Sequence, residues 1–184
     1  MSTYKLPEEQ DKSANKPFLY SEELSLFDKW SIGIYLLLTI FVTLSYDRIA
    51  VDYAHMMIIA YAIMLQLGGY FFLYRSLRNF RCYLIWFGFS IIHTAMYFVM
   101  KDDRRLLSLD YSPVTMLRNT FVLLLFFQVL RYISLKTQNM EFVAPSKGSD
   151  TDFLDHRKIT AIDKMLFLAY AALFGVLAYF SFPH

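Results

Sequence analysis

The sequence lacks most of what a water-soluble catalyst needs. Its one cysteine, Cys82, has no partner for an intrachain disulfide and no second thiol at the spacing of a metal or redox motif. Residues 31–46, 53–74, 82–100 and 165–182 contain no Asp, Glu, Lys or Arg. A proton pump normally needs a carboxylate at membrane depth, so the lack of one argues against that class and weakens a cation-coupled transporter. There is no nucleophile elbow, no zinc-protease helix and no phosphate-binding glycine loop. The 18 basic residues form no stripe and the formal net charge is only +2, which excludes nucleic acid as a partner.

What is abundant is apolar surface. Hydrophobic types make up 57% of the 184 residues and aromatics 18%, against roughly 45–50% apolar in a soluble domain. A bilayer core needs about 17–25 apolar residues per helix. The sequence therefore predicts an all-α integral membrane protein with about five transmembrane helices, near 30–46, 51–74, 82–100, 113–135 and 165–182. The lipid bilayer is its first partner. Trp30, Tyr35 and Tyr46 suit the two interfaces of the first span, whose flanks should continue the helix. The seven-residue link from Arg75 to Arg81 predicts that the second and third spans form an antiparallel hairpin. The fourth has a short apolar core, Phe121 to Leu130. Ser112 as cap and Pro113 at the first helical position would start it, and Arg118 and Arg131 would snorkel to opposite interfaces. Cys82 reads as a small buried hydrophobe.

Residues 1–29 form a polar tail with six acids and four lysines. No apolar signal region precedes residue 31, so the first span is expected to act as an uncleaved anchor. Residues 30–184 read as one membrane domain with a surface loop at 136–164, where His156 would be exposed; His184 ends the chain. Two spans open alike, at Asp28-Lys29 and Asp163-Lys164, each with Tyr seven residues after the Asp (Tyr35, Tyr170). The Asp is expected to cap the helix and the Lys to reach lipid phosphates. Five crossings put 13 basic residues on one side and 5 on the other. The positive-inside rule then places the N-terminus in the cytoplasm or mitochondrial matrix.

Polar groups at membrane depth are the candidates for chemistry: His55, Gln66, Ser90, His93, Thr94, Arg118, Asn119 and Gln128. In the five-span topology His55 and His93 differ in depth by roughly 5 Å, a placement that would let two imidazoles ligate a haem b, with Asp52 orienting His55. A structural role, with His93 bonded to a neighbouring helix near Ser90 or Thr94, carries more weight, and no metal is expected. Gly68, Gly69, Ala171, Gly175 and Ala178 form small faces for helix packing, within the chain or with a partner. The leading expectation is a non-catalytic accessory subunit of a larger membrane complex, with other membrane subunits as partners. An energy-transducing assembly in a bacterial or mitochondrial inner membrane is one setting that fits. A haem-binding electron carrier is the alternative, and a small oligomeric transporter or channel lined by Gln66, Asn119 and Gln128 the third reading.

Overall fold

The computed structural model describes residues 18–106, 113–145, 151 and 157–181. Among them are five helices long and apolar enough to cross a membrane. These are α1 (Leu26–Ser45), α2 (Val51–Phe71), α3 (Phe80–Met100), α4 (Thr115–Gln138) and α5 (Ala161–Tyr179), with a 3-10 turn at Ser76–Arg78 between α2 and α3. The protein is an all-α, multi-pass membrane protein.

The helix starts show local chemistry at work. Ser25 caps α1 by accepting from the Asp28 amide, and the Asp28 carboxylate accepts in return from the Ser25 amide. Thr160 and Asp163 repeat this reciprocal box at α5. The aspartates are thus not the caps expected from sequence. They stand three residues inside the helix, where each satisfies an amide that the first turn leaves unpaired. Both are buried.

α4 departs from expectation at both ends. Pro113 lies before the helix, whose opening turn is held by Met116 N to Pro113 O and Leu117 N to Val114 O. Ser112, the expected cap, lies outside the described residues, and among the described residues no side chain caps the helix. At the other end α4 runs to Gln138 and stops at Asn139, whose φ of 53° is left-handed. Asn tolerates that conformation better than most residues.

α4 packs against α2, α3 and α5, while α1 packs against α2 and α3. The expected α2–α3 hairpin is therefore corrected: the two helices are joined by a short turn but are not a closely packed pair. Bulky rings stand between them. Tyr61 reaches from α2 to His93 of α3, with ring centroids 4.6 Å apart, and Tyr35 of α1 lies against both Tyr61 (5.2 Å) and Trp86 (5.3 Å). Helices close on one another where residues are small, and these are large.

α1 and α5 are the outermost helices. Each buries a narrow stripe that begins at its box aspartate: Asp28, Tyr35, Thr39 and Val42 in α1, and Asp163, Leu166 and Tyr170 in α5. Trp30, Ile34, Leu37, Phe41, Met165, Leu168 and Val176 face outward, as a lipid-contacting surface does.

The 136–164 connection is not the plain surface loop expected. After Asn139 the chain turns under the bundle, and Phe142, Val143 and Ala144 are buried. Phe142 packs its ring against Tyr70 and Phe127. His156 and His184 lie outside the described residues.

Candidate functional site

A chain of hydrogen bonds links four helices in the interior. The Tyr35 hydroxyl donates to the Tyr61 carbonyl at 3.4 Å. Tyr35 Oη also lies 2.9 Å from His93 Nε2. His93 Nδ1 lies 3.0 Å from Thr120 Oγ1, which accepts from Gln66 Nε2 at 3.1 Å. Gln66 Nε2 also donates to the Met116 carbonyl at 2.7 Å. Beside this chain, Thr39 Oγ1 donates to the Tyr35 carbonyl (2.8 Å), which leaves the Tyr61 hydroxyl to donate to Thr39 at 2.7 Å. His93 is completely buried, with both ring nitrogens within hydrogen-bond distance of a hydroxyl.

That geometry does not fit a haem ligand. Iron needs an unshared imidazole nitrogen, and both nitrogens of His93 are within hydrogen-bonding distance of hydroxyls. Binding there would displace Tyr35 or Thr120 from the nitrogen it takes. His55 is held elsewhere, with Nε2 3.2 Å from the Arg105 carbonyl. Asp52, expected to orient His55, is exposed. The two histidines are therefore engaged by different partners, and α2 and α3 meet through rings without the close packing that the haem reading assumed.

The other membrane-depth polar residues are dispersed in the same way. Asn119 Nδ2 donates to the Leu177 carbonyl (3.1 Å) and to Ser181 Oγ (2.9 Å), tying α4 to the end of α5. Gln128 Nε2 donates to the Leu77 carbonyl at 3.0 Å, tying α4 to the α2–α3 turn. Gln66, Asn119 and Gln128 thus serve three separate junctions and do not share one lining. Ser90 and Thr94 bond back to carbonyls of their own helix, those of Phe87 and Ser90. Arg118 is exposed, over the Tyr97 ring at 5.5 Å.

Arg131 corrects the snorkelling expectation. It is 1% exposed, and its Nε and Nη2 form a two-pronged bond to Glu141 at 2.8 and 2.6 Å. Arg78 Nε lies 3.8 Å from the same carboxylate, and Arg78 Nη2 donates to the Phe142 carbonyl. Two guanidiniums therefore converge on Glu141. Phe18 and Tyr20 cover Arg131, with ring centroids 4.8 and 5.7 Å from its guanidinium carbon. Burial, partly opposed by Arg78 and Arg131, raises the Tyr20 phenol above its ordinary pKa. Next to this group, Arg157 Nη2 donates to Asp163 at 2.8 and 2.9 Å and to the Glu141 carbonyl at 2.9 Å. The cluster escapes sequence reading because its members come from five separate segments. The only local signal is Glu141, an acid just past the left-handed Asn139, where the chain can turn back on Arg131.

The polar tail docks here from residue 18 onward. Phe80 N donates to the Tyr20 carbonyl at 2.9 Å, and Asn79 exchanges hydrogen bonds with the Glu22 backbone. Cys82 is fully buried beside Trp86 and Asp28.

The small residues divide into two groups. Gly69 is buried, and a Cβ there would meet only Leu77 Cδ1 at 3.9 Å; Gly68 is half-buried with open space around it. On α5, Ala171 and Gly175 are exposed and Ala178 half-exposed, and nothing lies within 4 Å of where a Gly175 Cβ would be. The described chain does not cover that face. Comparison with known protein families, curated proteins and solved structures finds no match to this chain.

Proposed function

We propose that this protein is a non-catalytic, multi-pass subunit that joins a larger membrane assembly through the outer face of α5. The observation that carries this is the position of Ala171 and Gly175. They are small residues one helical turn apart, of the kind that lets two backbones approach closely, and the fold leaves them uncovered. The interior supports the same reading. His93, Gln66, Asn119 and Gln128 all tie helices or turns of the bundle together, which suits a framework whose recognition surface is external. The excess of basic residues on the side of the bundle where α1 begins, 13 against 5, suits a bacterial or mitochondrial inner membrane with that side inside.

Replacing Ala171 and Gly175 together by Leu tests the proposal, because the space at Gly175 accepts a side chain without disturbing the fold. Proteins that co-purify with the wild type in mild detergent should be lost from the double variant. They should be retained by Leu37→Ile, a change on the outward face of α1. An unchanged set of partners in the double variant would remove the assignment.

A further inference from the structure

Where the Phe18–Glu22 segment crosses the ends of α3 and α4, it roofs a pocket of about 70 Å³. The walls include Phe18, Leu19, Tyr83, Gln128 and the two converging arginines, Arg78 and Arg131. We propose that this pocket holds the phosphodiester headgroup of an anionic membrane phospholipid.

Three observations carry the inference. Arg131 is nine-tenths buried and more, yet it lines the pocket; Nε and Nη2 go to Glu141, and no hydrogen bond is recorded from Nη1 among the described residues. A guanidinium edge with a free N–H is a strong donor for a phosphate oxygen. The pocket also sits at the end of the bundle that carries Arg75, Arg81 and Lys136, and basic pockets between spans favour anionic headgroups. Finally, the pocket-lining Tyr83 begins an aromatic seam. Tyr83 lies 5.9 Å from Phe87, and Phe87 lies 5.1 Å from Phe121 of α4, with all three rings half-exposed. An acyl chain running down that seam would leave its phosphate at Arg131. A free anion would make no use of the seam, and this commits the site to a lipid.

The test uses the full chain, stripped of lipid in detergent and then offered phosphatidylglycerol, phosphatidylcholine or inorganic phosphate. Binding is read by native mass spectrometry and by the thermal unfolding midpoint. Wild type should retain phosphatidylglycerol in preference to phosphatidylcholine and gain thermal stability from it, with little response to inorganic phosphate. Arg131→Lys keeps a cation for Glu141 but removes Nη1, and should bind phosphatidylglycerol roughly tenfold more weakly, the loss of one charge-assisted bond. Leu19→Trp fills the pocket from an exposed position, leaves the buried ion pairs alone and should weaken binding at least as much. If Arg131→Lys does not fold, Leu19→Trp decides alone. Equal retention by wild type and the folded variants overturns the proposal. So does indifference to headgroup, or equal stabilisation by inorganic phosphate, which would mark a free-anion site.

Discussion

Tyr35 and Tyr170 hold the same position in two helices, seven residues beyond the box aspartates of α1 and α5. Both donate their hydroxyls to α2. Tyr35 reaches the Tyr61 carbonyl at 3.4 Å and Tyr170 the Gln66 carbonyl at 2.6 Å. Each also lies against a tyrosine of α2, Tyr61 at 5.2 Å and Tyr70 at 4.2 Å. The two outermost helices are thus tied to one inner helix by the same device. Tyr35→Phe and Tyr170→Phe should each cost about 0.6–1.7 kcal/mol, the range for interhelical hydrogen bonds in membranes. Tyr35→Phe should cost more, because Tyr35 Oη also pairs with the buried His93 Nε2 at 2.9 Å and its loss strips that ring nitrogen of its partner. Unfolding in graded mixed detergent measures both, and a larger loss for Tyr170→Phe would show that its 2.6 Å bond outweighs the His93 contact.

His93 should behave as a structural residue. His93→Leu removes two hydrogen bonds and should cost about 1–2 kcal/mol, while His93→Gln, which can restore one, should cost less. Haem b added to the wild type should give no Soret spectrum that depends on His55 and His93. A bis-imidazole spectrum lost in both His55→Gln and His93→Gln would show that the buried hydroxyls yield to iron.

Arg131 and Glu141 give the largest expected effect. Glu141→Ala leaves two converging guanidiniums without their shared carboxylate and should destabilise by about 3–5 kcal/mol. Replacing both members, Arg131→Met with Glu141→Leu, should recover part of that loss, because two neutral side chains need no desolvated charge. If the double variant is less stable than Glu141→Ala, the penalty comes from packing and not from the stranded charge.

The two capping boxes should be unequal. Ser25→Ala should cost about 1 kcal/mol, an ordinary cap loss. Thr160→Ala should cost more, because Thr160 Oγ1 also lies 2.6 Å from Gln138 Oε1 and its partner Asp163 is fully buried. Thermal unfolding of the two variants side by side gives the comparison.

Five crossings with the basic end inside predict that a reporter active only in the cytoplasm stays silent when fused after His184. A strong signal there would require an even number of crossings.

Much of this architecture was legible because membrane insertion is a local property. Four charge-free stretches marked four spans, and Arg118 and Arg131 bracketed the short apolar core of the fourth helix. Ser25-x-x-Asp28 and Thr160-x-x-Asp163 were readable as capping boxes, although the aspartates drew attention first. These features depend on residues within one or two turns of each other, and sequence alone determined them. The tertiary structure decided where α4 goes, and most of the interior chemistry depended on that. Its insertion beside α2 and α3 brings Thr120 to His93, Gln128 to Leu77 and Asn119 to Ser181, across separations of 27, 51 and 62 residues. No periodicity encodes such pairings, since they depend on the chain's path through the bilayer. Arg131 shows the consequence most clearly: a helix-end arginine reads as a lipid-facing cation until the turn at Asn139 brings Glu141 back beneath it.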